Sequence, residues 1–422
     1  MNKLNQSLIL CFLFILSAGC SDESVVTEEQ QQVQILWSDT VTPYTKLALW
    51  QQSRVYDAGH VLMLPMEYAF KIAPNPVMQS DFHQLFANYL HNYDDASTND
   101  FYRFQFNYAA LRYLNYIAPS NWSTDNHALF NKLKADFIHV WYEKPQSNHG
   151  ISGDGREEIV AWKYNNRGNT NRNFKRATID IEFYGFAILA EIISITQKQE
   201  KTVEQRLLSS QALVTNVFKQ EVSYTSTGWL YQPGQWQDNI DYLYAGYYVA
   251  EPDLSYSMVE GIATDSSHSH RMPLWLTSLK NAYPEFSEEN LYFDELIQGF
   301  KEQFINVVLV PSSDDFYGPR MTNYMDGHNG VYRYRYHDDP DLKLGYEEYN
   351  LSGTLFISFY PFLYDERISR EFAQLAFPLP QETIELYQGL GATKNYEDLI
   401  SFPNYFNNGF AELYSIIAEK MY

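Results

Sequence analysis

The chain has 422 residues, with 52 acidic against 30 basic side chains and a formal net charge of −22. That balance argues against nucleic acid as a partner and against broad attraction to acidic polymers, although screening over about 8–10 Å leaves a local basic pocket free to act at contact distance. Its 35 tyrosines, 27 phenylalanines and 8 tryptophans exceed what a core requires, and flat amphipathic rings suit sugar faces.

Residues 1–19 carry Lys3, an apolar run at 8–16, and then Ser17, Ala18 and Gly19 before Cys20. This is the layout of a bacterial secretory signal, too short to span a bilayer. The order Leu16-Ser-Ala-Gly-Cys20 resembles a lipobox, which implies cleavage before Cys20 and its lipidation. Ser21 after that cysteine implies outer-membrane sorting in a Gram-negative cell, so the expected location is exported and lipid-anchored. Cys11 falls within the signal, so the mature chain holds no thiol pair and no disulfide is expected. Residues 20–40 are polar and acidic at their start, and composition predicts a flexible tether. No linker interrupts the rest, and residues 41–422 are expected to form one domain.

Apolar residues recur at three- and four-residue spacing over 44–57, 61–72, 79–92, 101–117, 124–142, 156–164, 174–197, 203–221, 273–283, 287–305, 349–363, 366–376, 381–389 and 405–421. The expected fold is all-α. No fixed repeat favours an open solenoid, so the expectation is an (α/α) toroid or incomplete barrel of about six to seven helical hairpins. Two long stretches, 224–252 and 311–345, break the helical rhythm and are read as functional loops. The second contains Val331-Tyr-Arg-Tyr-Arg-Tyr336, whose strict alternation predicts a short β insertion near 331–336. A strand there would put Tyr332, Tyr334 and Tyr336 on one face and Arg333 with Arg335 on the other, unless a bulge mixes them.

The densest group of reactive side chains is Asp265-Ser-Ser-His-Ser-His-Arg-Met-Pro-Leu-Trp275. Pro273 fits the first turn of a helix, so His268, His270 and Arg271 are expected at a helix N-terminus, where amides and the dipole favour an anion. A second group is Asn329 through His337, and a third is the asparagine-rich stretch that includes Asn171 and Asn173. Amide, imidazole, guanidinium and phenol together suit β-elimination from a uronic acid. Donors aimed at the uronate carboxylate stabilise the charge that builds when the neighbouring proton leaves. A tyrosine with an adjacent Arg⁺, as in Tyr336 with Arg335 or Tyr332 with Arg333, is a candidate base and acid, its ordinary pKa of about 10 lowered by that neighbour.

These features resemble the toroid-fold polysaccharide lyases, including those acting on alginate and glucuronan. The resemblance implies Tyr336 as base and acid, His268 or His270 as base or neutraliser, Arg333 as the guanidinium, and Asn171 or Asn173 as the amide. Arg271, Tyr332, Trp236, Asp238, Asn329 and Arg335 would bind substrate, an anionic polysaccharide or oligosaccharide, and no cofactor is implied.

Two alternatives stay open on the residues themselves. A glycoside hydrolase needs two carboxylates in different protonation states, and Asp154, Glu157, Glu158, Asp238, Asp241, Asp265, Glu347 and Glu348 supply candidates, with a helix cap as the plain reading of Asp238. A glycan-binding lipoprotein would use the aromatics alone and leave the His/Arg cluster idle. A metal held by His268 and His270 with His328, His337, Asp326 or Asp338 matches no recognised spacing, and none is assigned.

Overall fold

The structure is a computed structural model that describes residues 27–52, 54–166, 172–337, 341–391 and 397–422. The signal segment, Cys20, Asn171 and Asp338 lie outside the described residues.

Helices dominate, and their starts are written in the sequence. Asn75 caps Pro76–His91 with its side chain on two backbone amides, with Pro76 in the first turn. Asn99 does the same for Asp100–Tyr116, and Ser123 and Ser287 cap Thr124–Ile138 and Glu288–Gln303. Asp180–Lys198 is apolar around most of its circumference and is buried from Ile181 to Thr196.

The helices alternate along the chain between an inner and an outer position. Arg54–Val61 packs on Asp100–Tyr116, which packs on Asp180–Lys198, which packs on Met272–Asn281. The short 3₁₀ turn Tyr360–Leu363 continues this inner series, and Phe410–Glu419 closes it by packing on Met63–Glu67. Thr124–Ile138, Gln205–Glu221, Glu288–Gln303 and Glu366–Ala373 back the inner helices from outside. The fold is therefore all-α, with inner and outer helices paired as hairpins around one continuous hydrophobic cluster.

Among the described residues strands are confined to two-stranded antiparallel pairs at 146–153, 222–231 and 309–321. At 331–336 the β structure reduces to one antiparallel bridge, between Tyr332 and Tyr346. Arg333 and Arg335 both adopt positive φ, +54° and +53°, which breaks a two-residue alternation. Tyr332 and Tyr334 turn inward, and Tyr336 is half exposed at 52%.

The acidic stretch read as a tether is structured from residue 28 onward. Glu28–Asp39 is a helix with a Thr27/Gln30 capping box, and it buries Val33 and Trp37 against the domain. Two apolar residues at i and i+4 suffice to dock it, although the charged sequence before them hides the pattern. Among the described residues no helix is long and apolar enough to cross a membrane.

Candidate functional site

The loop that leaves the second strand pair and the start of Met272–Asn281 meet on the inner side of the helical ring. Asp265 is the cap of a short turn, Ser266–Ser269, and Pro273 lies in the first turn of the helix that follows, as the sequence predicts. Segment 320–333 is threaded beside this turn. Ser266 N–H donates to the Asn323 carbonyl at 2.9 Å, and Asn323 Nδ2 donates to the carbonyls of Gly330 and Glu347. Gly330 passes so close to the Ala245 carbonyl that a Cβ would sit 1.8 Å from its oxygen. That close approach lets Val331 N–H donate to the Tyr247 carbonyl and Arg333 N–H to the Asp241 carbonyl, which fixes Tyr332 and Arg333 in place.

The result is a cavity of about 610 Å³ that joins a second of about 420 Å³, with Phe101, Asp180, His268, Tyr332 and Arg333 on the walls of both. Both volumes lie within the range of about 300–1,000 Å³ typical of ligand sites. The larger cavity has an aromatic wall that includes Trp236, stacked on Tyr242 with ring centroids 6.0 Å apart.

At the junction, His268 Nδ1 lies 2.8 and 2.9 Å from the two oxygens of Asp265. An ionised carboxylate only accepts, so Nδ1 carries the proton and Nε2 presents its lone pair. Asp265 is 1% exposed and also accepts from Tyr242 Oη at 2.8 Å, Ser267 Oγ at 2.6 Å and the His268 amide at 3.0 Å. Burial alone would raise its pKa, but the adjoining His268 ring with its hydrogen bond, the Ser267 hydroxyl and Arg333 outweigh it and hold the carboxyl below its usual range. His268 Nε2 is 3.9 Å from Asp180 Oδ2, so a proton gained there would meet a carboxylate.

Arg333 donates from Nε to Asp241 Oδ2 at 3.1 Å. Among the described residues its two terminal nitrogens have no protein acceptor. Its guanidinium lies 5.2 Å from the ring centre of Tyr332 and 4.5 Å from that of Tyr336. Burial would lower its pKa, but the acids and phenols around it, Tyr332 and Asp241 foremost, push it up, so the fork is permanently charged. Burial, reinforced by Asp265, raises the Tyr332 pKa well above that of a free phenol, with Arg333 opposing only in part. Tyr332 is therefore a proton-holding phenol, contrary to a phenolate induced by its arginine neighbour.

The remaining expectations divide. Arg271 is 1% exposed and lines the smaller cavity, where it donates to His60 Nε2, Asp180 Oδ2 and Tyr56 Oη at 2.7, 2.7 and 2.9 Å. Its charge is spent on holding Asp180 in place. His270 is buried against His60 and Phe359, and burial with the adjacent Arg271 depresses its pKa, leaving a neutral ring. Asp238 accepts from the amides of Asn173 and Phe174 at 2.7 and 3.1 Å and so caps the turn Asn173–Arg176. Neither Asp238 nor Asn173 reaches a cavity wall.

Asn329 is buried as a loop brace, accepting from the amides of Asn323 and Tyr349. Arg335 is exposed and pairs with Asp253 at 3.0 Å. Tyr336 lines the smaller cavity only. Among the described residues no group of three or more His, Cys, Asp or Glu side chains has the geometry to hold a metal. Sequence reasoning missed Tyr56 and Asp57 on Arg54–Val61, and Asp180 and Arg156 at the starts of two other helices, which carry no local motif.

Comparison with protein-family models, with curated proteins and with solved structures finds no match to this chain. What the fold and site define is a class by geometry: an all-α domain with a His–Asp pair and a forked arginine at the junction of two cavities.

Proposed function

We propose that the protein is a polysaccharide lyase that cleaves a uronic-acid-containing polysaccharide by β-elimination. The observation that carries the reading is the pairing, on one cavity wall, of a guanidinium whose two terminal nitrogens have no acceptor among the described residues and an imidazole whose Nδ1 is locked by a carboxylate. Arg333 takes the uronate carboxylate in bidentate fashion. His268 Nε2 accepts the C5 proton, the electron pair forms the C4=C5 double bond, and the C4–O bond breaks. A phenol protonates the departing oxygen, and Tyr332, held in its protonated form on the wall of both cavities, fills that role. Negative charge on the carboxylate grows as the proton leaves, so Arg333 is worth most in the transition state. Neutral His270 and buried Arg271 complete the wall on the side of the smaller cavity.

One observation favours a hydrolase as the second reading. Asp57, on the smaller cavity, has its carboxyl pushed up to about 7 by burial, as a general acid requires. Against it, the carboxylates on the larger cavity are each tied to a basic side chain: Asp100 to Arg103 and Lys144, Asp180 to Arg271, Asp241 to Arg333 and Asp265 to the His268 ring.

Incubation with alginate, glucuronan, ulvan and glycosaminoglycans separates the two. Ultraviolet absorbance from a conjugated unsaturated uronate supports elimination, and new reducing ends without it refute elimination in favour of hydrolysis. The Leu16–Cys20 order supports a lipid-anchored, exported enzyme. Incorporation of labelled palmitate that is lost in Cys20→Ala tests that reading, and equal labelling of both refutes it.

A further inference from the structure

Arg156 stands at the start of the helix Arg156–Asn165, on the wall of the larger cavity, and is 5% exposed. Its Nη2 donates to Gln146 Oε1 at 2.5 Å. Nε and Nη1 are buried with no hydrogen-bond partner. The acids that act on it from a distance are Glu182 and Asp100. Both are already committed, Glu182 to Lys163 and Asp100 to Arg103 and Lys144.

The contrast with the buried Arg112 and Arg271 and the half-buried Arg103 and Arg333 is direct. Around Arg103, Arg112, Arg271 and Arg333, burial is outweighed by adjoining acids and phenols, and the guanidinium pKa moves up. For Arg156 burial dominates and the direction is down. A buried cation with two idle donors costs stability, and it is kept where a ligand completes it.

We infer that Arg156 is a second anion-recognition site, which takes the carboxylate of a neighbouring sugar unit while Arg333 holds the carboxylate of the unit being cleaved. The ligand class is then a polymer bearing acidic groups on more than one residue within reach of the cavity, rather than a neutral glycan with an isolated uronate. Phe101 and Trp236, on the wall of the same cavity, supply apolar faces for the sugar rings. The inference rests on the lyase reading only for the identity of the anion.

The test measures binding in the His268→Ala chain, which would not turn the ligand over, by calorimetry with a short oligoglucuronate and with its carboxyl-reduced counterpart. Arg156→Gln should weaken the acidic oligomer by about ten- to hundred-fold, the effect of losing a charge-assisted pair. It should leave the neutral oligomer unchanged, and Arg156→Lys should recover part of the loss. The ligand-free Arg156→Gln chain should melt no lower than its parent, since an unsatisfied charge has been removed. Equal weakening of both oligomers, no weakening of the acidic one, or a marked fall in melting temperature would overturn the assignment and make Arg156 structural.

A second arm needs no sugar. Sodium sulfate should raise the melting temperature more than sodium chloride of equal ionic strength does, and Arg156→Gln should lose that excess. If the excess is lost in the variant while no oligoglucuronate binds, the anion site stands and the uronate reading falls. An excess that survives in the variant overturns the site.

Discussion

Replacing Asp265 by Asn removes one charge and keeps the shape of the side chain. In the native protein the carboxylate accepts from the His268 ring, the His268 amide, Ser267 and Tyr242. An amide can accept on one oxygen only, and its NH₂ would face either the Tyr242 hydroxyl or His268 Nδ1. Facing Nδ1 it would donate, so the ring proton would move to Nε2 and the lone pair that takes the substrate proton would be lost. A wrong tautomer in a carboxylate-oriented histidine costs roughly 10²–10⁴ in rate, about 3–5 kcal/mol of barrier. The loss should appear in kcat with KM little changed, because Asp265 touches His268 and not the ligand.

Stability should fall by only about 1–3 kcal/mol, since weaker hydrogen bonds are partly offset by the relief of burying a charge. The folded carboxyl titrates below the unfolded one, so its stabilising effect is complete above about pH 4 and is lost as pH falls toward the folded value. The melting deficit of Asp265→Asn should therefore shrink in acid. The assay is the initial rate of unsaturated-product formation, alongside circular-dichroism melts from acid to neutral pH. A folded Asp265→Asn chain with native kcat would refute the role of the pair.

Three further outcomes follow from the same geometry. Arg333→Lys keeps the charge but loses the fork, and kcat/KM on a polyuronate should drop about 10²–10³-fold, with binding of a carboxyl-reduced oligomer unaffected. Tyr332→Phe should lower kcat by about 10²–10⁴-fold, while Tyr336→Phe, which removes a hydroxyl from the smaller cavity alone, should cost less than about tenfold; the reverse order in parallel rate measurements would transfer the acid role to Tyr336. Asp57 carries a raised carboxyl pKa, so it favours the fold while protonated and loses that contribution as pH rises through about 7. The loss begins near the unfolded value of about 4, so Asp57→Asn should melt higher than the parent above pH 7 and close to it at about pH 3, and a uniform offset at both would contradict the titration.

Most of the helical frame was legible because caps and apolar spacing are local signals. Pro273 marks the start of Met272–Asn281, and the helix Asp180–Lys198 shows its burial in its own composition. The helix Glu28–Asp39 was hidden because its docking depends on Val33 and Trp37 within an acidic stretch. The alternation at 331–336 misled for a physical reason. It fits a strand, yet Arg333 and Arg335 take positive φ to satisfy contacts with residues 241–247 and 344, which no local pattern reveals.

The site was half readable. His268, Arg333 and Tyr332 converge, and His270 and Arg271 stand beside them on the wall of the smaller cavity, where their contacts run to His60, Asp180 and Tyr56 on other helices. Asp180 acts through Arg271, far along the chain, and Arg156 stands at a helix start with no motif around it. Asn329 and Asp238 belong to loops that needed their polar atoms for their own backbone.

The most direct test of elimination is the mass of the products from a defined oligouronate. The account predicts two fragments whose masses sum to that of the substrate, with the double bond on the new non-reducing end. Fragments that together weigh one water more than the substrate would contradict it.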